Sequence, residues 1–156
     1  MIYKGLINSK NIPDNGIFVF GSNKVGINGN PRRGTGGAAL VAQLEFGVKQ
    51  GEIMDNRLSD SKRAYGLVTV DAPRKYISGD VIINNIKLLY QFANDNSDKL
   101  FFIAYDGIDP NAVSLNGKTR QELSNLFYLA GEIPENVVFE EHFSALVKSN
   151  KKGFDI

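Results

Sequence analysis

The sequence predicts an α/β fold, a mostly parallel sheet covered by helices. Three apolar runs point to it: residues 17–20 (IFVF), 64–70 (AYGLVTV) and 100–105 (LFFIAY), each the right length for a strand buried on both faces. Helical stripes separate them, and strand, helix, strand in succession closes most economically as parallel pairs joined by crossover helices. At 156 residues, with 42% hydrophobic residues and ten Phe, the chain is sized for one domain with a substantial core.

Taken in order, the first strand at 17–20 ends at Gly21, where the backbone is expected to turn. A helix follows over residues 37–48, with Ala38, Leu40, Val41 and Leu44 as its apolar positions and Gly47 and Gly51 marking its end. Residues 49–63 are polar and read as an irregular connector. After the strand at 64–70, Ser78 and Asp80 open a helix whose stripe is Ile82, Ile83, Ile86, Leu89, Tyr90 and Ala93. The strand at 100–105 leads into a loop at 106–118. Thr119 and Glu122 then form a capping box for a helix through Leu129, with Leu123, Leu126 and Phe127 inward. A strand at 137–139 and a helix at 140–148 complete a single domain over 1–148, and 149–156 reads as a loose tail.

Composition excludes several functions. A net charge of +1 lacks the basic excess of a nucleic-acid-binding surface. There is no Cys for a disulfide framework or thiolate metal site, and the single residue His142 argues against most zinc and Ser-His-Asp schemes. His142 is expected in a solvated or capping role, away from the ligand edge. The N-terminal residues are too polar for a signal peptide, and no apolar run approaches the roughly 20 residues of a membrane span. The expected location is cytoplasmic, with no membrane or nucleic-acid partner, no metal and no cofactor.

The most informative segment runs from Ile17 to Leu40, IFVFGSNKVGINGNPRRGTGGAAL, where a strand passes into a loop containing six glycines and two arginines and then into a helix. Glycines admit a ligand close to main-chain N–H groups, and the following helix directs its positive end at the same place. An anion suits such a loop, at the sheet edge where open α/β folds bind ligands. A flexible surface turn is the competing reading. Two familiar phosphate motifs fit less well. GTGGAA at 34–39 has the G-x-G-x-x-A spacing, but thirteen residues separate Gly34 from Phe20. Gly117, Lys118 and Thr119 resemble the end of a Walker A loop, yet Ala112 stands five positions earlier in place of Gly.

The stretch FGSNKVGINGNPRRGTGGAA resembles the macrodomain pattern, in particular a bacterial and phage macrodomain-like group reading roughly FGSN-x-x-G-x-HG-x-GAA. Asn23, Gly26, Gly29, Ala38 and Ala39 fall on that pattern, Asn28 replaces its His, and NPRRGTG is an insertion. AYGLVTVDAP resembles the family's central strand, and LFFIAYDGIDPNAV resembles the segment ending in G-x-G-L-D. The resemblance covers most of the chain. It implies a three-layer α/β/α macrodomain-like fold, with a mostly parallel or mixed central sheet, that binds ADP-ribose or a derived nucleotide.

On that resemblance, Gly34, Thr35, Gly36 and Gly37 hold the diphosphate, with Gly21 and Ser22 at the strand end and Asp106, Gly107 and Ile108 facing it. Asn23 approaches the distal ribose, Arg32 and Arg33 clamp phosphate oxygens, and Tyr76 stacks on the adenine. Asp109, on the family's G-L-D position, and Asp71 are the catalytic candidates for hydrolysis of an ADP-ribosyl bond or an ADP-ribose phosphate ester, but Val70 stands where family hydrolases carry Lys. Each residue has a plainer role open to it: Asn23, Asp71 and Asp109 as turn formers, the arginines as solvated charges. The alternatives are therefore an ADP-ribose-linked hydrolase, a non-catalytic reader of ADP-ribosylated protein or sink for ADP-ribose-type molecules, and an interaction domain without a ligand.

Overall fold

The computed structural model describes residues 1–30, 32 and 36–154, with backbone alone over 151–154. The described elements, in chain order, are β1 (Ile2–Tyr3), β2 (Gly16–Asn23), α1 (Ala38–Phe46), β3 (Arg57–Leu58), β4 (Ala64–Ala72), β5 (Lys75–Tyr76), α2 (Gly79–Asp95), β6 (Leu100–Ile103), α3 (Arg120–Leu129), β7 (Val137–Glu140) and α4 (Glu141–Phe154). The strands form one mixed, mostly parallel sheet in the order β1-β7-β6-β2-β4-β3, with β5 also paired to β4. β1, β7, β6, β2 and β4 run parallel, whereas β3 and β5 pair antiparallel with β4.

Strand β2 explains why helices cover both faces. Its side chains alternate, so Ile17 and Val19 join a core with Ile82, Ile86 and Leu89 of α2, Leu123 and Phe127 of α3, and Phe143 of α4. Phe18 and Phe20 point the other way, into a core with Ala39, Ala42 and Phe46 of α1. The Phe18 and Phe46 rings stack at 4.7 Å. Each such side chain contributes about 1.5–3 kcal/mol on burial, so a one-residue slip of β2 would misplace both cores at once. Phe18 sits between Ala64 of β4 and Phe102 of β6, which holds that register.

The helix ends follow the local chemistry read from the sequence. Gly47 closes α1 in the left-handed conformation at φ 72°, and the Ser78 hydroxyl accepts from Val81 N to open α2. Thr119 and Glu122 form both halves of the capping box of α3.

Several boundaries differ. β2 passes through Gly21 to Asn23 because its pairing with β4 continues from Gly21 opposite Leu67 to Asn23 opposite Val70. β4 extends to Ala72, carried by the turn back into β5. Glu140 belongs to β7, and α4 continues past Lys148 to Phe154, where a tail was expected; residues 155–156 lie outside the described part. The two-residue strands β1, β3 and β5 were not anticipated, since pairings this short leave no alternation to read. Among the described residues, no helix is long and apolar enough to cross a membrane.

Candidate functional site

Because β6, β2 and β4 are parallel and adjacent, their C-terminal ends share one edge of the sheet. A cavity of about 250 Å³ opens there. β2 supplies Gly21, Ser22 and Asn23, the start of α1 supplies residues 36–39, β4 supplies Thr69 and Val70, and the β6–α3 connection supplies Tyr105, Ser114, Asn116 and Arg120. Of the residues expected at a ligand site, the structure brings Gly21, Ser22, Asn23, Gly36 and Gly37 together around this cavity.

The β2 turn is built by Asn23. Its Oδ1 accepts from Val25 N and Ile27 N, both at 3.2 Å, and its Nδ2 donates to Ile27 O at 2.6 Å. The side chain thereby shapes the turn from within, at 1% exposure. Ser22 is similarly engaged, its hydroxyl donating to Met54 O at 2.7 Å. Next to them Asn28 is 5% exposed; its Oδ1 accepts from Asn23 N at 3.1 Å, while its Nδ2 is buried with no acceptor. A buried N–H donor left without a partner costs about 1–3 kcal/mol.

Among the described residues no side chain caps α1. Leu40 N and Val41 N both turn back to Gly37 O. Gly37 adopts φ 62°, ψ −134°, a conformation open essentially to glycine, and a Cβ there would project into empty space. The N-terminal end of α1 carries the positive pole of the helix, suited to an anion.

The β6 side is aromatic and basic. The Tyr105 hydroxyl lies against Gly21, where a Cβ would come within 2.4 Å of it, and Asn116 Nδ2 donates to it at 3.4 Å. Burial pushes the Tyr105 phenol above its ordinary range, against the opposing pull of hydrogen bonds from Thr69 and Asn116 and of the Arg120 charge. It therefore stays neutral at physiological pH. The Arg120 guanidinium lies 5.2 Å over the Tyr105 ring, and its Nη1 donates to Ser114 Oγ. Its Nε is buried without an acceptor.

A second cavity, of about 400 Å³, adjoins the first; Ala38 and Ala104 line both. Leu6, Ile7, Phe18, Val41 and Ile108 give it apolar walls, and Asp106, Glu140 and His142 a polar end. Asp106 and Ile108 thus face this cavity, while Gly107 packs behind it, its N–H donating to Glu140 Oε1 at 2.9 Å. A Cβ on Gly107 would lie 2.6 Å from the backbone of His142 and Phe143. The expectation that His142 lies away from the ligand edge is corrected: β7 is parallel to β6, so the start of α4 reaches the same edge.

His142 Nδ1 lies 2.6 Å from Glu140 Oε2, and that bond, with the surrounding carboxylates, raises the imidazole above its ordinary value despite opposing desolvation. Burial raises the Glu140 carboxyl, but bonds from the backbone of His142, Gly107 and Phe143 and from the His142 ring outweigh it and leave the group lowered.

The remaining expected residues stand elsewhere. Asp71 is exposed near the end of β4 and lines neither cavity. Asp109 is exposed and its Oδ1 accepts from Asn111 N at 3.0 Å, a turn bond. The Tyr76 ring covers Gly117 and stays 59% exposed. Arg32 is exposed, its N–H donating to Asn30 Oδ1. Arg33, Gly34 and Thr35 lie outside the described residues.

Asn28, Thr69, Asn116 and Arg120 were missed as site residues. Arg120 had a usable signal: it is the first residue of the helix after a central parallel strand, which the connection rules place at the same edge. Asn28 was visible only as a substitution for His, and nothing local marks Thr69 or Asn116. The chain matches no family model, no curated protein and no solved structure.

Proposed function

We propose that this chain is a macrodomain-like protein that binds ADP-ribose or a related nucleotide without hydrolysing it, as a reader or a sink. The carrying observation is the pair of cavities meeting at Ala38, beside the N-terminal end of α1. A diphosphate suits the helix end, an adenine the apolar cavity, and the distal ribose with the group it carries the polar one. Each cavity is close to the roughly 300 Å³ lower bound of small-molecule sites, and a two-ended ligand uses both.

The lining of the polar cavity favours binding over cleavage. Among the described residues it holds no carboxylate, histidine or lysine, and the Tyr105 phenol is held in its neutral form. A positioned general base, worth about 100- to 10,000-fold in rate, is therefore missing from that wall.

Calorimetry with ADP-ribose, ADP and NAD tests the reading. ADP-ribose is expected to bind, and Gly36→Val to weaken it at least tenfold with an unchanged circular dichroism spectrum, because the side chain blocks approach to the helix end. No heat with any of the three ligands refutes the assignment. Release of free ADP-ribose from an ADP-ribosylated protein, or of phosphate from an ADP-ribose phosphate ester, overturns its non-catalytic part.

A further inference from the structure

Two residues that line the polar cavity each carry a buried N–H donor with no protein acceptor, Asn28 Nδ2 and Arg120 Nε. They belong to opposite layers: Asn28 lies in the loop leading to α1, whereas Arg120 begins α3, and α1 and α3 pack into different cores on the two faces of the sheet. We propose that Arg120 is the specificity-determining residue of this cavity, selecting nucleotides whose far end carries an oxyanion over those ending in a neutral sugar. This deepens the ADP-ribose-type reading and rests on it.

Arg120 is placed for that role. Stacking on Tyr105 and the bond to Ser114 fix the guanidinium plane, and its backbone N–H donates to Ala112 O at 3.0 Å, anchoring the start of α3. Among the described residues no carboxylate forms an ion pair with it. A guanidinium offers five N–H donors and no acceptor, and the unpartnered Asn28 amide adds a donor from the other layer. Ribose hydroxyls are satisfied by mixed donors and acceptors. A group facing the guanidinium is matched by acceptors alone, as in a phosphate or a carboxylate, and the charged pairing is the stronger.

The test compares three ligands by calorimetry: ADP-ribose, ADP-ribose 1″-phosphate, and the aldonic acid made by oxidising the terminal ribose. The wild type is expected to bind at least one anionic ligand tenfold or more tightly than ADP-ribose, and which one identifies the oxyanion. In Arg120→Gln that ratio falls to about one. Asn28→Asp keeps the acceptor for Asn23 N but replaces the free amide with a negative oxygen, and is expected to lower the ratio as well. If Arg120→Gln does not fold, Asn28→Asp and Arg120→Lys carry the comparison. A wild-type ratio near one, or a ratio unchanged in the folded variants, overturns the proposal. Inorganic pyrophosphate separates the two levels. If no nucleotide binds but pyrophosphate does, and Arg120→Gln loses it, the nucleotide reading fails while the oxyanion role stands; if pyrophosphate also fails, both fall.

Discussion

Replacing Gly21 with Ala tests the packing that forms the floor of the polar cavity. The added Cβ would lie 2.4 Å from the Tyr105 hydroxyl, whereas ordinary contact begins near 3.4 Å, so the overlap is about 1 Å. The next atoms are Thr69 Oγ1 at 3.1 Å and Tyr105 Cζ at 3.6 Å, so nearly all of the clash belongs to one oxygen. Overpacking of this size costs about 1–3 kcal/mol. Removing that oxygen with Tyr105→Phe leaves Cζ in ordinary contact, and Gly21→Ala in that background is expected to be nearly neutral, since an Ala in a strand also reduces unfolded-chain entropy by about 0.4–1 kcal/mol. The double-mutant coupling is therefore about 2 kcal/mol. Urea unfolding at an m-value of about 2 kcal/mol/M reads it as a midpoint shift of about 1 M, present in the wild-type background and absent in the Tyr105→Phe one. Equal costs in the two backgrounds would refute the placement of the hydroxyl over Gly21.

The Glu140–His142 pair makes stability depend on pH in a defined direction. The raised histidine contributes fully below its ordinary value of 6.5 and loses the contribution as pH rises through the raised value. The lowered glutamate contributes above 4.5 and loses it as pH falls through the lowered value. Thermal unfolding from pH 4 to 9 is expected to show the high-pH decline in the wild type and not in His142→Gln; identical slopes would sink this reading. Thr119→Ala removes one half of the α3 capping box, leaving Glu122 N without its acceptor, and is expected to cost about 1 kcal/mol by urea unfolding. A change below 0.3 kcal/mol would show that the box does not hold the start of α3.

The fold was legible where a physical requirement acts over neighbouring residues. The three long apolar runs became β2, β4 and β6 because a strand buried on both faces is built mainly from apolar side chains. Ser78, Thr119 and Gly47 marked helix ends because each satisfies backbone groups within its own turn. The site was legible only on the β2 side. There the glycines and small residues mark an open approach to a helix end, and Gly21, Ser22, Asn23, Gly36 and Gly37 line one cavity. On the β6 side the division was not legible: Asp106 and Ile108 follow Tyr105 closely in sequence, yet they line the apolar cavity while Tyr105 lines the polar one. The turn after β6 separates them, and Gly107 holds that turn against α4.

By itself the sequence determined the α/β alternation, the strand cores, the helix caps and the glycine-rich approach to α1, because burial, capping and backbone freedom are local demands that each segment meets alone. Only the tertiary structure decided that β7 is parallel beside β6, bringing His142 to the edge that carries the cavities, and that Asn28 and Arg120 share a cavity though 92 positions apart. Those are pairings between distant segments, set by which strands share hydrogen bonds and which faces the helices cover, and no local pattern carries them.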